Sequence, residues 1–429
     1  MTMTMIVFIG SLLFVMALGI PIAHSLIMSG VVLLIYMKEF DTQTLAQTMI
    51  DGADNFPLMA IAFFILAGEL MNAGGVSRRI IAFAIALIGH VKGGLGYVAI
   101  LATLLFSGLT GSAVADVAAL GSILIPVMEE AGYKRSHSAS LIAAAGIIPP
   151  LMPPSVPMII FGVTGNVSIP RLFMSGIVPG VLLCACLAAT WGWIARKENF
   201  KPQPKKPFRE LVKTARDAIW AFILPLIIIV GLRGGIFTPT EAAAIAVFYA
   251  LFVGLFIYRE LKFSHITEVL VSSSKVTSVV MFLAAAAMIS SWLIAIANIP
   301  VFLADTLAPL MDNKILLMFA INLLVLVVGT AMDSTPTILI LTPVLMPVIL
   351  KAGIDPIYFG FMFVFNNMIG LLTPPVGTVL NVAAGVGRVS MEEIIRKVMP
   401  YMWIEIVLLL LLTVFPQLVI IPMQWFMPG

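Results

Sequence analysis

Residues 111–132 read GSAVADVAALGSILIPVMEEAG, and residues 329–353 read GTAMDSTPTILILTPVLMPVILKAG. The two stretches look like copies of each other. Each is followed by a Pro-Pro break in an apolar run, Pro153-Pro154 and Pro374-Pro375. GNVSI from Gly165 and GRVSM from Gly387 come next, and then Pro179 and Pro400. Pro126 to Pro347, Pro153 to Pro374 and Pro179 to Pro400 share one offset, 221. Interrupted apolar segments at corresponding places in two halves are the best sequence pointer to the binding site of a secondary transporter.

Composition fixes the solvent. Hydrophobic residues make up 61% of the 429, charged residues 10%, and mean hydropathy is +1.11. Soluble domains carry about 25% charge, so most of this chain faces lipid or other apolar helices. The net charge of +3 gives no basis for nucleic-acid binding, and no phosphate loop of the GxxxxGK[ST] type is present. Neither ATP nor an organic cofactor is expected. Cys184 and Cys186 lie two apart in an apolar run and cannot face each other on a helix. His24, His90, His137 and His265 show no metal spacing. The apolar N-terminal run has no basic leader and reads as a retained transmembrane helix.

A crossing needs about 20 apolar residues. Residues 6–37, 56–71, 138–163, 172–195, 218–232, 242–258, 276–297, 357–385 and 398–421 qualify. Linker 196–216 holds eight of the 24 Lys and Arg residues against two Glu, which places it in the cytoplasm. Segment 38–54 has one base and four acids and falls outside. Counting outward gives a cytoplasmic N-terminus, a periplasmic C-terminus and two repeats in opposite orientation. Apolar stretches 94–131 and 314–350 are each broken midway by small polar residues: Ser107-Gly108-Leu109-Thr110-Gly111-Ser112 and Gly329-Thr330-Ala331-Met332-Asp333-Ser334-Thr335. Without Lys or Arg, these make poor aqueous loops and good tips for re-entrant hairpins, because irregular backbone at that depth must line a cavity or lie in protein.

Such a tip frees the C-terminal carbonyls of one half-helix and the N-terminal amides of the next. The carbonyls suit Na⁺, and the amides suit a carboxylate. Residues 146–157 (GIIPPLMPPSVP) and 371–377 (LLTPPVG) add carbonyls freed by proline. The ring of hard, nearly uncharged oxygens that results fits a monovalent cation better than Ca²⁺ or Mg²⁺. Two tip–break pairs predict two Na⁺ sites. Asp116 and Asp333 follow the two tips and align if a one-turn gap is placed after them. Each could serve an ion, cap a helix or receive a substrate group. Thr238-Pro239-Thr240-Glu241 reads as a capping box with proline at the first helical position. Asn366, Asn367 and Asn381 are polar positions in the second broken helix, best explained by packing. Glu69, Asp305 and Glu405 have no assigned role.

The stretches FSGLTGSAVADVAALGSILIPVM (from Phe106), PPSVPMIIFG (from Pro153), GGIFTPTEAAAIAVFYAL (from Gly234) and LLTPPVGTVLNVAAG (from Leu371) resemble the large, DctM-like membrane subunit of TRAP transporters. The likeness covers essentially the whole chain. It implies a Na⁺-driven symporter of organic acids such as sialic acid or a C4-dicarboxylate, with an elevator mechanism, in the bacterial inner membrane. It also implies two protein partners: a periplasmic substrate-binding protein and a small four-helix membrane subunit, here expected as a separate polypeptide. Carried over, Ser107, Gly108, Ser112 and Pro150 would belong to the first Na⁺ site. Thr330, Asp333, Thr373 and Gly377 would belong to the second. Ser112, Asp116, Pro154, Ser155, Asp333, Ser334 and Thr335 would line the substrate cleft.

The expected fold is all-α and polytopic, an inverted repeat with two re-entrant hairpins and two broken helices. Residues 1–93 would be scaffold, 94–170 the first half of the transport domain, 171–313 scaffold with the basic linker, 314–390 the second transport half, and 391–429 a C-terminal scaffold helix. Segments 41–55 and 264–275 read as amphipathic. A self-sufficient Na⁺/dicarboxylate symporter without a binding protein is the alternative. An intramembrane hydrolase would need a nucleophile–base or paired-Asp motif, and neither Asp116 nor Asp333 sits in one, so no enzyme is expected.

Overall fold

The computed structural model describes residues 2–38, 41–108, 111–198, 200, 202 and 204–427. Among them the regular secondary structure is all helical. The N-terminal part contains α1 (Thr2–Ala17), α2 (Ile22–Met37), α3 (Thr42–Ala53), α4 (Met59–Ala73) and α5 (Val76–Ile88). Then come α6 (Gly94–Phe106), α7 (Ala113–Glu130), α8 (Arg135–Ala145), a 3-10 turn at Pro149–Leu151, α9 (Val156–Thr164) and the long α10 (Ile169–Glu198). The middle holds α11 (Phe208–Arg233), α12 (Pro239–Phe252) with a π turn at Val253–Ile257, α13 (Phe263–Ile296) and α14 (Ile299–Met311). The series α15 (Lys314–Ala331), α16 (Ser334–Lys351), α17 (Pro356–Gly370), α18 (Thr378–Gly387) and α19 (Met391–Val414) follows, and α20 (Gln417–Phe426) ends the chain. Among the described residues, eight helices are long and apolar enough to cross a membrane, and α8 with α9 forms a ninth candidate bent by 44°.

The sequence repeat is carried into the helix boundaries. Helices α7 and α16 both have 18 residues, and their first residues, Ala113 and Ser334, are again separated by 221. Ser112 and Asp333 therefore occupy the same N-cap position. No gap is needed, and Asp116 corresponds to Thr337 rather than to Asp333. Packing follows the same scheme in both halves. Helix α7 lies on α18, and α16 lies on α9; α8 lies on α19, and α17 lies on α10. The two broken helices meet where Phe161 packs on Phe359 and Phe363, with ring centroids 5.9 and 5.7 Å apart. A side chain at Gly360 would collide with Phe161, so glycine permits that crossing.

Three expected segments differ in the structure. Residues 6–37 form two helices rather than one crossing, because Gly19 (φ +80°) and Pro21 break the run. The two helices pair closely, and Phe8 shares a core cluster with Leu33 and Leu34, so they run antiparallel. Thr2 thus lies at the Met37 end of the pair, on the side of Asp41, and not opposite it as a single crossing required. Segment 264–275 is not a separate amphipathic helix. No Gly or Pro stands between Phe263 and Ile296, so α13 continues for 34 residues, about 50 Å at the usual rise. The C-terminal apolar run is interrupted at Pro416, and α20 packs on α10. The other amphipathic segment forms as α3, capped by Asp41, which accepts a bond from the Gln43 amide at 2.9 Å. Gly52 brings α3 onto Ala285 and Met288 of α13.

The Thr238 capping box is present. Glu241 Oε2 accepts from the Thr238 amide at 2.8 Å, and the Glu241 amide donates to Thr238 Oγ1 at 3.3 Å. Helix α12 packs against α4, with the Thr240 hydroxyl donating to Phe56 O at 3.2 Å. Trp191 Nε1 donates to Gly93 O at 2.8 Å and ties α10 to the start of α6.

Candidate functional site: two tips on two helix breaks

The first tip joins α6 to α7. At about 1.5 Å per residue, the 13 residues of α6 reach about 20 Å, short of the roughly 30 Å of bilayer hydrocarbon. Ser107 is buried, and its hydroxyl donates to Leu104 O at 2.6 Å. Gly108 abuts Pro225 of α11, where a Cβ would fall 2.1 Å from Pro225 Cγ. Leu109 and Thr110, also part of the expected tip, lie outside the described residues. Gly111 has φ +60° and sits directly on the first break. A Cβ there would stand 2.5 Å from Pro154 O and 3.0 Å from Ser155 Cα. Ser112 caps α7, accepting from the Ala115 amide, and Asp116 is 0% exposed in the first turn.

The first break is tightly ordered. The peptide between Pro153 and Pro154 is cis. Ser155 is buried and caps α9, accepting from the Met158 amide at 3.2 Å while its hydroxyl donates to Pro150 O. The turn at Pro149–Leu151 packs against both arms of the first hairpin. Ser112, Pro150, Pro154 and Ser155 thus gather at one tip–break contact, while Ser107 bonds back into α6 and Gly108 turns to Pro225 of α11.

The second tip joins α15 to α16, whose 18 residues each reach about 27 Å. Asp333 is exposed and caps α16, its carboxylate accepting from the Ser334 amide at 2.8 Å. Thr330 donates to Val327 O and Thr337 to Asp333 O, both at 2.8 Å. The tip leans on the second break through glycine. A Cβ on Gly370 would stand 2.7 Å from Gly329 C and 2.8 Å from Gly329 Cα. Asn367 Nδ2 donates to Ser334 O at 3.2 Å and pins the start of α16 to α17.

The Pro374-Pro375 peptide is also cis. Thr373 donates to Ile369 O at 2.8 Å, and Gly377 (φ +49°) leads into α18. Among the described residues, the carbonyls of Thr373, Pro374 and Pro375 accept no hydrogen bond. The second break is the more open one: Pro375 and Val376 are exposed, whereas residues 153–155 are buried. Thr330 adjoins Gly329 at this second contact, Asp333 and Thr335 flank Ser334 at the start of α16, and Thr373 and Gly377 lie on the break itself. No hydrogen bond among the described residues links the two groups, which meet through helix packing, α9 on α16 and α17 and α7 on α18.

Sequence reasoning passed over Gly370, Pro225 and the bridging role of Asn367. Gly370 and Pro225 lie inside apolar runs and carry no polar signal. Asn367 was visible as a polar residue in an apolar helix, but its partner was not. Asn381 donates to Val376 O at 2.7 Å and steadies the second break from within.

A polytopic helical protein with two helix breaks, each beside a tip that joins two helices, has the build of a membrane transporter, and comparison with known proteins gives the same class. The family described as tripartite ATP-independent periplasmic transporter, DctM component, matches residues 9–418. The chain is 50% identical over 423 residues to the 2,3-diketo-L-gulonate TRAP transporter large permease protein YiaN of Escherichia coli, covering 99% of this chain and 100% of that one. It is 41% identical to the sialic acid TRAP transporter large permease protein SiaM of Vibrio cholerae (95% and 96% covered). It is 38% identical to the C4-dicarboxylate TRAP transporter large permease protein DctM of Pseudomonas aeruginosa (94% of each covered). The fold resembles that of the YdaH transporter of Alcanivorax borkumensis, with TM-score 0.63, 13% identity, and 87% and 89% of the two chains covered. This chain belongs to the DctM family of TRAP transporter large permeases. It is a multi-pass transport subunit of a tripartite system and not an enzyme.

Proposed function

We propose that this permease imports an organic acid together with about two Na⁺ ions across the bacterial inner membrane by an elevator movement. The observation that carries this reading is the double tip–break contact, Gly111 on Pro154 and Gly370 on Gly329. Each contact sets helix-terminal carbonyls and hydroxyls beside a proline-freed backbone, a hard-oxygen environment suited to Na⁺. Ser107, Gly108, Ser112 and Pro150 would serve one ion, and Thr330, Asp333, Thr373 and Gly377 the other. The N-termini of α7, α9 and α16, with Ser112, Pro154, Ser155, Ser334 and Thr335, would receive the substrate carboxylate, and Asp116 and Asp333 would accept from its hydroxyl or other donor groups. The matching helix register supports an inverted repeat whose two halves, 94–170 and 314–390, move as one transport domain. The remaining helices would form the scaffold.

The cargo reading is a sugar acid. The relatives at 50% and 41% identity are named for 2,3-diketo-L-gulonate and sialic acid, and the one named for C4-dicarboxylates stands at 38%. A periplasmic binding protein would deliver the cargo, and a small membrane subunit would pair with this chain. The basic linker would face the cytoplasm. The C-terminus would face the periplasm, as would the N-terminus, since α1 and α2 return it to the side of Asp41.

The test is uptake in proteoliposomes containing the small subunit, with binding protein outside. Uptake should require Na⁺ with a Hill coefficient above one. Full-rate uptake in K⁺, or on a proton gradient alone, would remove the ion sites. Undiminished uptake without the binding protein would instead favour a self-sufficient symporter.

A further inference from the structure

Helix α19 buries a carboxyl group in the middle of its packed face. Glu405 is 0% exposed, and neither of its oxygens has a hydrogen-bond partner. Two ties fix its place along the seam with α15 and α17. Toward the second break, Thr373 Oγ1 lies 3.7 Å from Met402 Sδ, one turn from Glu405. In the other direction, Asn322 Nδ2 donates to Thr413 Oγ1 at 2.9 Å, and Asn366 Nδ2 donates to Asn322 O at 2.7 Å. Asn366 and Asn367 each bury a side-chain oxygen without a partner. Beyond Thr413 the seam opens into a cavity of about 250 Å³, lined by Lys314, Met318, Asp355, Tyr358 and Thr413 among others. A row of polar groups therefore runs from the cavity toward Glu405 through otherwise apolar packing.

Among the described residues, no cation answers this carboxyl. Of the helices packed on α19, α18 and α20 carry no titratable group, α15 carries only Lys314, and α17 only Tyr358. Lys314 donates to Gly353 O and Tyr358 to Leu412 O. Helix α8 brings Arg135 and His137. Arg135 bonds Glu129, and His137 lies near Lys397, two turns from Glu405. Helix α10 has Cys184 and Cys186 along its length, with Arg171, Arg196, Lys197 and Glu198 near its ends. On α19 itself Arg396 pairs with Glu392, Glu393 lies in the first turn, and Tyr401 precedes Glu405 by one turn. A carboxylate buried without a donor or cation costs several kcal/mol, and a neutral carboxylic acid avoids most of that cost.

We infer that Glu405 is a proton-binding site of the transport cycle. It stays a neutral acid while the α17–α19 seam is closed. It exchanges its proton with water entering from the cavity beside Thr413 when the seam loosens. The step moves one proton between a carboxyl oxygen and water and needs no other reactant. The inference rests on the transport reading above. It adds a proton to the cycle without replacing Na⁺ as the driving ion.

The sign follows from the geometry. Raising the pH ionises Glu405 in the loosened state, and the charged form resists reburial, so uptake falls. In proteoliposomes with the small subunit, binding protein and a fixed Na⁺ gradient, wild-type uptake should fall about threefold or more from mildly acid to mildly alkaline buffer. Glu405→Gln, which mimics the neutral acid, should hold its acid-side rate across that range, and Glu405→Asp should restore the dependence. An internal pH dye should record substrate-driven proton movement with the wild type and none with Glu405→Gln. An unchanged pH profile in Glu405→Gln overturns the assignment. If that variant does not reach the membrane, the wild-type dye measurement decides, and Na⁺-dependent uptake with a stationary proton overturns the assignment alone. Absence of uptake in any ion would instead overturn the transport reading itself.

Discussion

Asp333→Asn should reach the membrane in normal amount, melt at the wild-type temperature and transport at least about tenfold more slowly, a loss of roughly 1.4 kcal/mol of stabilisation in the cycle. Asp333 caps α16 by accepting the Ser334 amide at 2.8 Å. Asparagine caps a helix about as well as aspartate, so the helix start survives the change. What disappears is the negative charge at an exposed tip, one turn from Thr330. Uptake at saturating Na⁺ and substrate, measured with membrane expression and thermal unfolding, separates the two roles. Near-normal transport by a well-expressed variant would make Asp333 a structural cap. Thr373 and the neighbouring carbonyls would then remain as the candidate ion ligands.

Gly370→Ala should damage both stability and uptake, more than either of two comparison changes. Its new methyl would stand 2.7 to 2.9 Å from three backbone atoms of Gly329, which cannot rotate away. Helices α15 and α17 would have to part, at an overpacking cost of about 1–3 kcal/mol, and the second tip would lift from its break. Gly329→Ala meets Asn367 Oδ1 at 3.1 Å and Gly370 Cα at 3.3 Å, a tighter-than-usual but milder fit. Gly385→Ala meets nothing within 4 Å and should be harmless. The expected order of thermal stability and of Na⁺-driven uptake is Gly385→Ala, then Gly329→Ala, then Gly370→Ala. Equal behaviour of the three would show that the tip–break contact does not govern transport.

Both predictions rest on contacts that sequence approached from opposite ends. The tips and the Pro-Pro breaks were legible because small polar residues and prolines interrupt apolar runs, and because they recur at one offset. The position of Asp333 on a helix start was legible for the same reason. Its counterpart in the first half was not, and the expected pairing with Asp116 fails, since text similarity alone tolerates a gap. The helix starts at Ala113 and Ser334 align Asp333 with Ser112 instead. Gly370 gave no signal at all. A glycine in an apolar helix acquires meaning only when another backbone lies against it.

The sequence by itself determined the membrane class, the two interrupted helices and the family. Each of these depends on hydropathy or local backbone chemistry, which a linear pattern records. Tertiary structure decided what pairing decides. It folded residues 6–37 into an antiparallel pair, ran α13 unbroken past Lys275 and seated Gly111 on Pro154 and Gly370 on Gly329. It also left Glu405 without a partner in the packed interior. Burial and hydrogen-bond satisfaction are properties of neighbours brought from distant parts of the chain, so a carboxyl that looked unremarkable in its own helix became the most isolated charge-bearing group in the fold's described core.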